Sequence, residues 1–217
     1  MKVLLAVPLL FVALACGAQD EPASGTPTNA ATGMKVDLKT TDTSFSYAAP
    51  NEKIEPQALR ELYSVFFRPA TGRDALAERW ARKASSDAGE RPTILPRIAE
   101  QARVLLADAG FEGEALVAAP VSEDMACFAL LSGAESCGAG FRHGVAVAGE
   151  RRDGRIVLFG LVGDDVKGLD IVAGGREYEA RIGENGFTAP LGEVRAEDIE
   201  GARVHLVDGR VESFDFR

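Results

Sequence analysis

The chain has 217 residues, a formal charge of −9, and 46% hydrophobic against 26% charged residues. That balance is near the globular average and excludes a disordered, collagen-like or multi-span membrane protein. The charge lies in the second half: residues 51–111 carry 10 basic and 9 acidic side chains, residues 112–217 carry 11 and 20, and so acidic a module disfavours nucleic acid as a partner.

Met1-Lys2 precedes the 13-residue apolar run Val3–Ala15. The run is too short for a comfortable membrane span and reads as a signal peptide, residues 1–15. It ends Ala13-Leu14-Ala15-Cys16, which resembles a bacterial lipobox with Ala13 where Leu is usual. Cys16 is therefore the expected lipidation site. Ordinary secretion, with cleavage at Ala15 or Ala18, is the alternative. Both readings export the protein, either to the outer face of the cell membrane as a lipoprotein or into the medium.

Residues 16–50 are expected to carry the lipid and act as a flexible tether. Between Cys16 and Lys35 there is no Val, Ile, Leu, Phe, Tyr or Trp, so this stretch buries too little surface to fold. Val36, Leu38, Phe45 and Tyr47 alternate weakly, which leaves an edge strand open.

Residues 51–102 read as a helical segment. Leu59, Leu62, Tyr63 and Phe66 form one apolar stripe of a helix over Glu55–Phe67, with Pro56 in its first turn. Arg68-Pro69 stops it. Thr71 and Asp74 have the spacing of a capping box, and the helix after them, from about Gly72 to Lys83, should turn Leu76 and Trp80 inward and Arg73, Arg79, Arg82 and Lys83 to solvent.

Residues 103–217 read as an antiparallel β domain. Arg103–Ala107 is read as a strand, although Ile98, Ala102 and Leu105 also fit a helix. Further runs are Ala115–Val121, Ala126–Leu131, Arg155–Val162, Leu169–Ala173, Glu177–Ile182, Phe187–Leu191, Arg203–Val207 and Val211–Phe216. Gly174-Gly175 and Asp208-Gly209 are hairpin signals that permit the positive φ of type I′ turns. Tyr178, Ala180 and Ile182 face one way and Glu177, Glu179 and Arg181 the other, so one face is wet and the sheet antiparallel. The predicted class is α+β, a short helical segment packed on a mainly antiparallel sandwich or partly open barrel.

Arg68-Pro69-Ala70-Thr71-Gly72-Arg73-Asp74 resembles an R-P-x-T-x-x-D element of exported actinobacterial proteins with a Cys-containing β module. Gly160-Leu161-Val162-Gly163-Asp164-Asp165-Val166 is similar to a G-[LV]-V-P-D-G-V segment of that module, with Gly163 for Pro and Asp165 for Gly. Asp tolerates a positive-φ turn better than most residues. Asn185-Gly186-Phe187 resembles its N-x-F element. The likeness spans roughly residues 60–190; it implies export and the β boundary, and no activity. The family's strand cysteine and downstream cysteine correspond to Cys127 and Cys137. Three cysteines also divide naturally into lipidated Cys16 and one pair, which an oxidising compartment would join as a structural disulfide.

Signals for catalysis are sparse. His143 lies in Gly140-Phe141-Arg142-His143-Gly144 and His205 on the solvent side of a strand; with no HExxH or cysteine pairs near them, no metal is assigned. No G-x-S-x-G elbow occurs, and Ser132-Gly133 follows a strand without one. Gly138-Ala139-Gly140 lacks the ending of a phosphate loop, so no cofactor is assigned. Asp164-Asp165 and Glu197-Asp198 read as solvated turns, and Phe66, Phe67 and Trp80 as core rather than docking surface. No residue is assigned as catalytic. The expected function is a non-enzymatic envelope module, tethered to the membrane by a lipid anchor and binding a protein or a glycan. The alternative is an extracytoplasmic hydrolase whose site is assembled across β-domain loops, with a histidine, an acid and a serine in one pocket.

Overall fold

Seven consecutive residues, Ile156–Val162, are fully buried without any apolar–polar alternation. Such a run needs cover on both faces, and the computed structural model supplies it. The structure describes residues 43–47, 58–87, 96–110, 114–131, 133, 135–138 and 142–216. The segments read as a signal peptide and as most of a tether, Cys16, and the predicted start of the first helix lie outside the described residues.

The central sheet is antiparallel with order β1-β6-β7-β11-β10: β1 (Thr43–Tyr47), β6 (Ala146–Arg152), β7 (Arg155–Leu161), β11 (Gly186–Gly192) and β10 (Arg181–Gly183). The C-terminal sheet runs β13-β12-β8-β9, with β13 (Val211–Asp215), β12 (Ile199–Leu206), β8 (Val166–Ala173) and β9 (Arg176–Glu179). A third sheet runs β2-β3-β4-β5: β2 (Arg103–Leu106), β3 (Leu116–Pro120), β4 (Ala126–Leu130) and β5 (Glu135–Gly138). The fold is the predicted α+β, rich in antiparallel strands.

Three cores bind four layers. Ile156, Leu158, Phe187 and Ala189 of the central sheet meet Leu169, Ile171, Val204 and Leu206 of the C-terminal sheet. On the opposite face Val157, Phe159 and Leu161 meet Leu116, Phe128 and Leu130 of the third sheet, together with Leu59, Leu62, Tyr63 and Phe66. The outer face of the third sheet is closed by Ala77, Ala81, Ala99 and Ala102 of the helical layer. A Cβ at Gly160 would collide with the Ala146 carbonyl, so glycine lets β6 and β7 lie at normal spacing.

Several expectations need correction. The first helix is a single turn, α1 (Leu59–Leu62), followed by a 3-10 turn at Ser64–Phe67. The second, α2 (Ala75–Asp87), starts after a 3-10 turn at Gly72–Asp74; it buries Ala77 and Ala81, while Leu76 is exposed and Trp80 only partly covered. The strand read over Arg103–Ala107 is present as β2, preceded by a 3-10 turn at Pro96–Gln101. β6 was not anticipated: Ala-Val-Ala-Gly is small and weakly β-forming, and burial on two faces removes its alternation. The run read as one strand over Glu177–Ile182 divides at Ala180, whose N–H bonds Leu169 O, so β9 and β10 serve different sheets. Its alternation holds, with Ala180 buried and Glu177, Glu179 and Arg181 exposed. The undecided stretch before Tyr47 supplies β1, an edge strand on β6.

Gly174 and Gly175 both take positive φ, as a type I′ turn requires. At Asp208-Gly209 only Gly209 does, and Leu206 N–H closes on Arg210 O. Asp165 takes no positive φ, so an aspartate at this turn position needs no left-handed backbone tolerance. Cys127 and Cys137 are disulfide-bonded, as expected, with Cα atoms 4.0 Å apart on directly paired positions of β4 and β5. Cys137 is therefore on a strand, β5. The closed loop contributes about 2.5–3 kcal/mol in the chain-entropy picture.

Candidate binding site

The site is built where α1 ends. Continuing the helix would place the Ser64 and Val65 N–H groups on carbonyls one turn back. Instead Ser64 N–H donates to Asp164 Oδ2 at 3.0 Å and Val65 N–H to Asn185 Oδ1 at 3.1 Å. The Ser64 hydroxyl donates to Asp164 Oδ1 at 2.9 Å, and Asp164 N–H returns a bond to Leu62 O at 2.8 Å. Asn185 Nδ2 closes the set on Asp164 Oδ1 (2.8 Å) and Val162 O (3.0 Å). The buried Tyr63 hydroxyl donates to Gly144 O at 2.5 Å, and burial pushes its phenol pKa up. Asp164 is an exposed turn residue, as read from the sequence, and its carboxylate also clamps the helical segment.

The next residues are held as firmly. Arg68 grips Asp74 through both terminal nitrogens, at 2.7 and 3.0 Å. Asp74 also accepts the Thr71 N–H (2.7 Å), the Thr71 hydroxyl (2.9 Å) and the Val104 N–H (3.0 Å). Burial alone would raise this carboxyl, but the guanidinium and the N–H donors outweigh it and hold it well below the usual carboxylate range. Glu184 accepts from Arg68 at 2.7 Å and also pairs with Arg73. Asp74, Asp164 and Asn185 come from three separated stretches of the chain, each singled out by its local sequence, and they converge around one ledge.

Phe66 and Phe67 point to opposite fates on that ledge. Phe66 is 1% exposed and sits in the core, whereas Phe67 is 51% exposed. The Arg60 guanidinium carbon lies 5.8 Å from the Phe67 ring centroid, within cation–π range. Among the described residues Arg60 has no carboxylate partner. Two open grooves share Arg60 and Phe67 as their common wall. One, about 790 Å³, is lined by Ser64, Val65, Arg68, Glu184 and Asn185. The other, about 580 Å³, is lined by Leu59, Ile98, Gln101, Pro120, Val121 and Glu123. Both volumes suit ligand sites. Phe67 was read as core; two adjacent aromatics at a helix end cannot both face inward once the helix breaks, and only the tertiary clamp reveals the break.

Other candidate residues fall elsewhere. His143, at φ 57°, pairs through Nδ1 with Asp165 and through Nε2 with Glu212 at 3.2 Å. His205 lies on the outer face of β12, its Nε2 2.6 Å from Asp170. Each histidine thus meets an acid, but serine is absent from the described residues lining the groove beside His205. Glu197 and Asp198 pair with exposed Arg195. Glu135 lies near the Cys127 and Cys137 sulfurs, which are committed to each other and not free as thiolate ligands. Gly138 ends β5, and Ala139 and Gly140 lie outside the described residues, as does Ser132.

Comparison with protein-family models, with curated proteins and with solved structures finds no match. Function has to be read from the chemistry of the ledge.

Proposed function

We propose that this protein is an extracytoplasmic binding module, tethered through a lipid on Cys16, that engages a protein or glycan of the cell envelope with the Arg60–Phe67 ledge. One observation carries the reading. A half-exposed aromatic ring and a cation with no carboxylate partner among the described residues stand between two grooves, on backbone whose N–H groups Asp164 and Asn185 hold. Burying the exposed half of the Phe67 ring in a partner is favourable by about 0.8–1.5 kcal/mol, and a pre-ordered ledge spares the entropy of ordering it on binding. The N-terminal sequence supports export, and the polar stretch behind Cys16 supports a tether of about 20–25 Å.

The test is retention of envelope components on immobilised protein. Phe67→Ala and Arg60→Ala are expected to abolish the retention of a component that the wild-type chain holds, with an unchanged circular dichroism spectrum. Retention unaffected by both substitutions would move the function away from this ledge. For the anchor, Cys16→Ser is expected to release the protein from the membrane fraction and to stop incorporation of labelled fatty acid.

A further inference from the structure

A histidine between two acids ties the central sheet to the C-terminal sheet. His143 lies in the turn before β6. Its carbonyl accepts the Gly163 N–H at 2.7 Å, and the next carbonyl, of Gly144, accepts the Tyr63 hydroxyl. Its Nδ1 meets Asp165, in the turn before β8, and its Nε2 lies 3.2 Å from Glu212 Oε2 on β13. Glu212 and Phe214 are the partly buried residues of β13, set between exposed Val211, Ser213 and Asp215, and Phe214 packs on the core. The other charged groups here have their own places. Arg210, at the hairpin end, bonds Glu212 Oε1 at 3.2 Å and Asp208 at 2.7 Å. Asp164 is taken up by Ser64 and Asn185. Arg142, exposed, precedes the histidine, and Lys167 lines the groove beside His205.

We infer that His143 is a proton-operated latch: its imidazolium holds Glu212 and with it the edge strand β13, and loss of one ring proton releases that strand. The inference is independent of the binding reading above. A neutral imidazole carries one N–H and an imidazolium two. Each ring nitrogen here faces a carboxylate, so both contacts are hydrogen bonds only in the charged ring. The contact with Asp165 is the shorter, so a neutral ring keeps its proton on Nδ1 and turns a lone pair on Glu212. β12 stays tied, because Val207 N–H donates to Asp165 O at 2.9 Å. β13 is paired along one side only, with β12, and Glu212 is its link to the turn that bears His143. Of the side-chain types gathered here, histidine is the one that ordinarily changes charge between about pH 5 and 8. The latch therefore stabilises β13 while the ring is charged, and that contribution is lost as pH rises through the ring's titration.

The experiment is amide hydrogen exchange on the full chain at about pH 5 and about pH 8, expressed as protection factors, alongside an NMR titration of both histidine rings. Protection of the Val211–Asp215 amides is expected to fall at least about threefold at the higher pH, in step with the His143 ring, while β7 stays protected. Glu212→Gln should abolish the difference, because a carboxamide can accept from an N–H or donate to a lone pair. His143→Asn should leave β13 weakly protected at both pH values; asparagine tolerates the left-handed φ of 57° at this position. Equal wild-type protection at the two pH values overturns the latch. So does a pH-dependent loss that survives in Glu212→Gln, or one that follows the ring of His205, which bonds Asp170 and sits opposite Val211. Strong protection of β13 at both pH values in His143→Asn overturns it as well.

Discussion

The central sheet is closed on its two faces by different chemistry. Towards the C-terminal sheet, the seal is apolar and mainly aliphatic: Ile156, Leu158 and Phe187 pack against Leu169, Ile171 and Val204. Towards the third sheet, an apolar core around Phe128 and Phe159 is extended by single polar side chains that tie the helical segment to the β domain: Asp164 accepts from Ser64 N–H, Asn185 from Val65 N–H, and the Tyr63 hydroxyl donates to Gly144 O. Aliphatic burial is non-directional and spreads its energy over many contacts. Hydrogen bonds fix direction, and they are what makes a one-turn helix with an exposed aromatic hold its shape. The ledge stands on the directional side.

That contrast can be broken by substitution. The largest effect is expected in the aliphatic seal: Leu158→Ala should destabilise by about 3–4 kcal/mol, read by urea unfolding, while the folded fraction keeps the affinity of the ledge. Asp74→Ala should cost about 3 kcal/mol, because it removes one of the two carboxylates that hold the partly buried Arg68 and leaves the Thr71 and Val104 N–H groups without their acceptor. Its pH signature is separate. The folded-state pKa is depressed, so this stabilisation is complete above the ordinary carboxylate range and is lost as pH falls towards the folded value. The gap between wild type and Asp74→Ala should therefore be constant from neutrality down to about pH 5 and narrow steadily below that. Leu158→Ala should show no such narrowing.

Asn185→Ala should cost about 1–3 kcal/mol, and it sharpens the comparison. Amide exchange at Val65 is expected to rise sharply while exchange in β7 and β8 stays slow. Equal acceleration in both places would show that the two faces unfold as one and that the clamp is not local. The smallest stability effect belongs to Phe67→Ala. Half of its ring is already in solvent, so unfolding should change by no more than about 0.5 kcal/mol, with binding lost. A loss of several kcal/mol there would return Phe67 to the core.

Much of the β architecture was legible locally. Gly174-Gly175 marked a turn because few other pairs accept two positive φ values, and Tyr178, Ala180 and Ile182 marked an inward row because a strand alternates its faces. The Thr71–Asp74 box was legible because capping acts within four residues. β6 was not, since strands buried on both sides lose alternation. Nor was the turn at Asp153-Gly154, with φ of 50° and 75°, although Asp-Gly is a standard hairpin signal. The ledge was misread at Phe67 for one reason: the apolar stripe through Phe66 described a helix that Asp164 and Asn185, about a hundred residues later, interrupt.

The sequence by itself determined the elements whose causes are short-ranged: the antiparallel hairpins, the capping box and the pairing of Cys127 with Cys137. Tertiary structure alone decided which sheet each strand joined and where α1 stopped. It also decided which of two neighbouring phenylalanines met solvent. Those outcomes depend on which distant carboxylate or amide reaches a backbone N–H first, and no local periodicity carries that information.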